Sequence, residues 1–403
     1  MVESNWARAA HRFGNWYSSA TLDEIWLPPR LRTRECMFEQ WTAGRYDRHI
    51  SFDSPKDVLH LLQTRMPKSC FYSTAYYGKP KEWKMVDKDW KGADLIFDLD
   101  GDHLDFVDPF NIPEMLEIIQ LQTWKLWDEF LHPEFGFSEE HLHITFSGHR
   151  GFHLHYRDPA VLGLDSPSRR ELVSYIRGIG IEVSALMNND VSHGWKQRLD
   201  LGTETILSKL DIVHQDDKQG KQMAKELCGI IKERSNAPDS KVKSCSANRM
   251  KTLAESVQHP ERRANVIDGK YKGLGKNDHL FLELVKGDKS LILGQAGETD
   301  DAVTVDVKRQ IRWPTSLNGK CGLQVTSFPL ERLHPDGPNP FDALKEALPY
   351  FDNKTRELEI TIDRCVLGFG GEQREYALGD TLIADANIDT FLTLKGWAKP
   401  VSA

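Results

Sequence analysis

Asp98 and Asp100 stand two residues apart at the end of Asp-Leu-Ile-Phe-Asp-Leu-Asp, residues 94–100, just before Gly101. Apolar and acidic residues alternate here, which is the period of a β-strand. On such a strand Asp94, Ile96, Asp98 and Asp100 share one face, and Leu95, Phe97 and Leu99 point into a core. The last two carboxylates then lie about 7 Å apart. Like charges so placed call for a cation between them, and oxygen donors suit a hard divalent ion. The plainer alternative is a pair of solvated carboxylates at a strand end, binding nothing.

A second polar group sits on a glycine turn. His143-Ile144-Thr145-Phe146 reads as a strand running into Ser147-Gly148-His149-Arg150-Gly151 and out along Phe152-His153-Leu154-His155-Tyr156. Two glycines let the backbone close on a ligand, with the Ser147 hydroxyl and the Arg150 guanidinium as donors. On the exit strand His153, His155 and Arg157 share a face opposite Phe152, Leu154 and Tyr156. A hairpin with a basic tip is the alternative. The histidines from His141 to His155 raise the question of zinc, but histidines on alternating strands are more often solvated or at a core edge, so zinc is not predicted.

The third group sets Asp300 and Asp301 before Ala302-Val303-Thr304-Val305-Asp306-Val307, which alternates like a strand, and Arg309, Arg312 and Lys320 after it. Carboxylates hold a cation while Arg and Lys meet phosphate oxygens, which is what a metal–triphosphate site requires. Surface charge pairing would leave the same pattern.

These groups need a scaffold. A chain of 403 residues, 39% hydrophobic and 28% charged, can bury a large core and divide into more than one folding unit. No run approaches the ~18 apolar residues of a membrane span, and Met-Val-Glu-Ser-Asn-Trp is not a signal peptide. Cysteines at 36, 70, 228, 245, 321 and 365 form no CxxC and no close pair, which fits a reducing cytoplasm. The net charge of −8 leaves any nucleic-acid contact to a local basic surface.

In order, the pattern predicts a helix over 5–30, a hairpin from 34–38 and 45–52, a helix capped by Ser54 with Pro55 at its first position, a strand over 69–76 and a helix over 112–131. From Ser166 to Lys286 the chain turns to helices rich in Lys and Glu, at 168–186, 202–210, 219–234 and 247–257, with a loop over 234–247. Ten Lys or Arg against six Asp or Glu between Lys209 and Lys251 suit a solvated helical face at least as well as a nucleic-acid surface. Residues 331–403 alternate short strands and loops.

Phe97-Asp98-Leu99-Asp100-Gly101 resembles the first motif of haloacid-dehalogenase-type phosphatases, and Gly379-Asp380 with Asp385 is similar to that family's late metal-binding motif. Asp102 stands where that family has Thr or Val, and the Ser-Gly-His-Arg-Gly-Phe-His turn has no place in it.

All three groups together resemble the small catalytic subunit of the archaeal and eukaryotic type of DNA primase. The likeness runs through Asp98-Leu99-Asp100, Ser147-Gly148-x-Arg150-Gly151-x-His153, Asp300-x-x-Val303-Thr304 and Arg312-x-Pro314-x-Ser316-Leu317. It extends to Arg34-Glu35, Arg48-His49-x-Ser51-Phe52, Phe391-Leu392 and Lys395-Gly396-x-Ala398. The resemblance implies that Asp98, Asp100 and Asp300 hold two divalent cations, Mg²⁺ or Mn²⁺. It implies that Ser147, Arg150, His153, Arg312 and Lys320 contact the nucleotide's phosphates, with Arg48 near the same cleft. Asn318 stands where the family usually carries His beside the phosphates, which implies weaker nucleotide binding or compensation by Lys320. Many members carry a Cys/His zinc knob after the Asp pair, and with no cysteine between Cys70 and Cys228 that zinc is not expected.

The expected fold is α/β (α+β): a core of mixed β-sheets flanked by helices, made of residues 1–165 and 288–330. A mainly helical subdomain over 166–287 is inserted, and 331–403 packs back on the core. The expected activity is synthesis of short RNA primers on single-stranded DNA from nucleoside triphosphates. The resemblance implies a large-subunit partner carrying an iron–sulfur domain, a cytoplasmic location and no membrane. The alternatives are a primase-polymerase of the same superfamily in repair or on a mobile element, or a protein that only binds nucleotide or nucleic acid.

Overall fold

The computed structural model describes residues 2–101, 108–177, 194–236, 240–287 and 301–401. Two units are formed, one of Met1–Lys125, Ser138–Val173 and Ala296–Ala403, the other of Leu126–Phe137 and Ser174–Gln295.

The first unit is built on two four-stranded sheets. One has β1 (Cys36–Glu39), β2 (Tyr46–Ile50), β3 (Ser69–Ser73) and β9 (Gln310–Arg312) in the order β2-β1-β3-β9. Beside it β4 (Ala75–Tyr77) pairs with β5 (Trp90–Ala93). The other sheet has β6 (Leu95–Asp100), β7 (Leu142–Phe146), β8 (Gly151–Tyr156) and β10 (Thr326–Phe328) in the order β10-β7-β8-β6, with neighbours antiparallel. Residues from both sheets and from the helix Val2–Ser19, among them Phe13, Phe38, Tyr72, Ile96 and Trp313, form one buried cluster. The tail adds β11 (Arg356–Ile360), β12 (Arg364–Leu367), β13 (Arg374–Ala377), β14 (Thr381–Ala384) and β15 (Ala398–Pro400), as a sheet ordered β14-β11-β15 and a hairpin β12–β13. The tail helix Ala386–Lys395 is tied down by Asp389, fully buried, which accepts from Arg8 Nη2 and Arg12 Nη1 at 2.8 Å each.

Local chemistry explains several boundaries. Ser54 and Asp57 cap each other's backbone, and Pro55 opens the helix Pro55–Arg65. The expected helix over 5–30 stops at Ser19, because Thr21 and Glu24 form a reciprocal cap that starts a separate short turn, Leu22–Glu24. The expected strand over 302–307 is instead a helix, Asp301–Val305. Val303 and Thr304 are both buried, and Thr304 Oγ1 donates to the Ile96 carbonyl at 2.7 Å. This helix covers the open edge of β6 where the Val-Thr-Val composition suggested another strand.

The second unit is helical: Gly194–His214, Lys218–Arg234, Ala247–Val257, Pro260–Ile267 and Asp278–Lys286. Ile206, Leu210 and Val213 on the first helix share a core with Leu227, Ile231, Leu253 and Leu284, following the three- and four-residue spacing of an apolar helix face. The expected helix 202–210 lies inside the longer Gly194–His214; of the one expected over 168–186 the helix Ser166–Ile176 is seen and residues past 177 fall outside the described ones. The division differs from the expected boundary at 166. Leu126–Phe137 joins the helical unit, where Phe130 meets the Trp195 ring edge-on at 5.6 Å. Ser166–Val173 stays with the sheets, where Arg169 donates to the Ala93 and Asp94 carbonyls at 2.8 and 2.9 Å. Among the described residues no helix is long and apolar enough to cross a membrane.

Candidate active site

Strand β6 enters the site from a fully buried anchor. Asp94, just before it, accepts from Arg34 Nη2 at 2.9 Å and 3.1 Å, from Arg157 Nε at 3.1 Å and from the Tyr76 hydroxyl. Arg34 also donates to the Ser73 carbonyl at 2.9 Å and stacks 3.7 Å above the Tyr76 ring, so its charge is fully satisfied. The residue that shares a face with Asp98 and Asp100 by spacing is therefore a structural ion pair. Ile96, the next on that face, is core.

Further along, the register brings Asp98 opposite His153 and Asp100 opposite Gly151. His153 Nε2 lies 3.2 Å from Asp98 Oδ1, and its other ring nitrogen lies 3.4 Å from Thr145 Oγ1. Burial pushes the Asp98 carboxyl up, but His153, Arg309 and Arg312 outweigh it, and the net shift is downward, to a carboxylate held ionised. The expected phosphate contact His153 is thus packed against Asp98.

The glycine turn that follows is as tight as its sequence suggests. Ser147 N–H donates to the Gly151 carbonyl at 2.9 Å, and Ser147 Oγ accepts from Gly151 N–H at 3.2 Å. Gly148 has φ 75°, and a Cβ there would stand 3.0 Å from Asn318 Cβ; at Gly151 it would stand 2.4 Å from the Leu99 carbonyl oxygen. Asn318 is buried beneath the turn and spent at both ends: its Nδ2 donates to the Ser147 carbonyl at 3.0 Å and its Oδ1 accepts from Lys320 N–H at 3.0 Å. It is a strut between two candidate phosphate-binding segments.

Arg312 ends β9, opposite Phe71, with its guanidinium 4.5 Å from that ring. Its Nη1 is buried without a hydrogen-bond partner among the described residues, and burial lowers its pKa. A buried cation with an unfilled donor is suited to an anion. His149, within the turn, is buried; burial first, then Lys395, Arg150, Lys320 and Arg312, push its pKa well below the usual range. These four cations therefore gather around one neutral ring. Of the expected residues, Ser147, Arg150, Asn318, Lys320 and Arg312 come together at the turn, and Asp98, Asp100 and His153 on the adjoining strand ends. Arg48 is exposed on β2, the edge strand of the other sheet. Asp300 lies outside the described residues. His149 and Lys395 were not expected at the site; the first hides at an unspecified position of the turn, and the second was named only within the Lys395-Gly396-x-Ala398 likeness, far along the tail.

The competing readings meet plain structural uses. His143 stacks on Trp26 with ring centroids 5.1 Å apart, accepts or donates to Ser327 Oγ at 2.9 Å, and is pushed down to about 3 by burial and Arg157. His155 is buried, bonded to Thr145 Oγ1 at 3.1 Å and the Tyr72 hydroxyl at 3.3 Å. Among the described residues no three His, Cys, Asp or Glu are grouped to hold a metal ion. Asp380 accepts Ala377 N–H in a turn at 2.8 Å, and Asp385 caps the tail helix through Asn387 and Ile388 N–H at 2.9 Å each, which accounts for the phosphatase-like pair.

A family model described as DNA primase small subunit matches residues 97–328. The chain is 33% identical to the DNA primase small subunit PriS of Methanothrix thermoacetophila, over 96% of this chain and 97% of the relative. It is 33% identical to the PriS of Methanocella arvoryzae, over 89% and 90%, and 31% identical to that of Methanosarcina barkeri, over 87% and 86%. The matched span runs from the strand bearing Asp98 to the strand after Lys320, and the chain belongs to the DNA primase small subunit family.

Proposed function

We propose that the end of β6 and the Ser147–Gly151 turn form the nucleotidyl-transfer site of this primase catalytic subunit, which builds short RNA primers on single-stranded DNA from nucleoside triphosphates. The observation that carries the reading is Arg312: a buried guanidinium with an unfilled Nη1, in a cluster with Arg150 of the turn and Lys320 of the loop after β9. Such a cluster suits the triphosphate of a nucleotide.

Asp98 and Asp100 fit a hard divalent cation, since both offer carboxylate oxygens at one strand end and Asp98 is held ionised. Asp300 is proposed as the third carboxylate. When bound, Mg²⁺ or Mn²⁺ would supply charge at the attacking 3′-hydroxyl and the leaving pyrophosphate. The chain's own residues do the rest. Arg150, Arg312 and Lys320 neutralise the phosphates, and the Ser147 hydroxyl with the turn's close backbone fixes their position. His153 steadies Asp98 from across the sheet. The name small subunit, carried by the relatives, supports a larger partner subunit, for which an iron–sulfur domain is proposed.

The test is primer synthesis by the full chain on single-stranded DNA with labelled nucleoside triphosphates and Mg²⁺ or Mn²⁺, with and without a preformed primer. Labelled oligomers without a primer, lost on chelating the cation, are expected. Extension only from a supplied primer would move initiation to the partner subunit, and no incorporation in either arm would overturn the reading.

A further inference from the structure

We propose that Lys395, the last residue of the tail helix, contacts the β- and γ-phosphates of the incoming nucleoside triphosphate, so that the tail supplies part of the nucleotide site. This rests on the reading of Arg150, Arg312 and Lys320 as the triphosphate cradle.

The helix is seated on the loop that carries Lys320. Gly322 has φ 86°, and a Cβ there would stand 2.7 Å from Thr390 Cγ2 and 3.8 Å from Leu394 Cδ1. From the other side, Arg8 and Arg12 grip the buried Asp389. The helix ends at Gly396, whose φ of 69° closes it immediately after Lys395. The ammonium is thereby fixed over the turn: Lys395 Nζ lies 2.9 Å from His149 Nε2 and 5.1 Å from the Trp397 ring centroid. Arg150 Nε approaches the same ring nitrogen at 3.4 Å. The one lone pair of a neutral imidazole there is the shared mark on which both basic groups converge. Cys321, whose Sγ donates to the Gly148 carbonyl at 2.9 Å, lies within the electrostatic reach of Lys395, Arg312 and Arg150 alike. The unfilled Nη1 of Arg312 is the second, independent sign that an anion belongs there. One ligand that meets several cations over such a span is a polyphosphate; a nucleoside monophosphate offers a single phosphate and cannot meet them all.

The experiment measures Mg²⁺-dependent binding of ATP, AMP and single-stranded DNA to the full chain, for wild type and for Lys395→Ala, Lys395→Arg and Arg312→Ala. Lys395→Ala should weaken ATP binding about tenfold, the loss of one charge-assisted contact. AMP and DNA affinities should be unchanged, and Lys395→Arg should restore part of the loss. Wild-type ATP affinity in Lys395→Ala, with ATP lost in Arg312→Ala, would overturn the inference and leave the site standing. Unchanged ATP binding in both variants would overturn the site reading itself. Equal loss of ATP, AMP and DNA with a lower melting temperature, unrelieved by Lys395→Arg, would make Lys395 a structural residue. A loss confined to DNA would assign it to the template backbone and overturn the proposal.

Discussion

In the helical unit Ile206, Leu210 and Val213 meet Leu227, Leu253 and Leu284, whereas under the sheet that bears the site Asp94 lies fully buried among Arg34, Arg157 and Tyr76. The first interior is held by apolar area, which is non-directional and tolerates exchange among side chains of similar volume. The second is held by charge-assisted hydrogen bonds, which demand particular atoms at particular distances. An ionic anchor gains little over an apolar one in stability. What it does here is fix the strand start four residues before Asp98, and with it the direction of the carboxylates.

The largest effect of that difference should come from removing one ionic partner. Arg34→Met leaves Asp94 buried with its charge uncompensated by Arg34 and should cost about 3–5 kcal/mol in denaturant unfolding. Adding Asp94→Leu should recover only part, because Arg157 and Tyr76 then lose their acceptor. Full recovery would mean the anchor is no more specific than an apolar core. Leu253→Ala in the helical unit, a cavity in a core without such a pair, should cost about 2–4 kcal/mol. There a second large apolar residue nearby should rescue by volume alone.

Acid should distinguish the two interiors next. His143, His149 and His155 of the sheet unit are held neutral, with pKa values below that of the unfolded chain, about 6.5. The unfolded chain then binds protons the folded one does not. The stability these residues contribute is present above about pH 6.5 and is lost as the pH falls toward the folded values, about 3 for His143. The helical unit buries no described histidine: His132, His214, His259 and His279 are exposed. Unfolding free energies between about pH 8 and about pH 5 should therefore fall with acid, and less steeply in His143→Phe, which keeps a ring on Trp26. The same slope in both proteins would contradict the assignment.

The smallest expected effect is at Asn318. The replacement that the resemblance suggested, Asn318→His, puts a ring where an amide now spans the Ser147 carbonyl and Lys320 N–H. Nucleotide affinity should fall a few-fold, and a rise would show that the turn can rebuild around a charge.

The strand at 95–100 and the glycine turn were legible because their patterns are local: a period of two, and two glycines where backbones approach closely. The helix at Asp301–Val305 was not, because Val-Thr-Val reads as strand until an open sheet edge needs covering. Asp94 looked like a sibling of Asp98, since spacing along a strand says nothing of what approaches from Arg34, 60 residues away in sequence. Asn318 could be named as a departure from its family, but only the packing under Gly148 turns it from a weak phosphate ligand into a strut. Lys395 reaches the site through tertiary packing of the tail helix, 246 residues from His149 in sequence, and no periodicity carries that distance.

The most direct test of the central claim, that this ionically anchored strand end performs nucleotidyl transfer, is templated nucleotide incorporation by Asp98→Asn, with thermal unfolding measured on the same preparation. The substitution keeps the shape and removes the charge. Incorporation should fall by a factor on the order of a thousand or more while the protein stays folded. A folded Asp98→Asn protein that still incorporates nucleotides at a substantial fraction of the wild-type rate would contradict it.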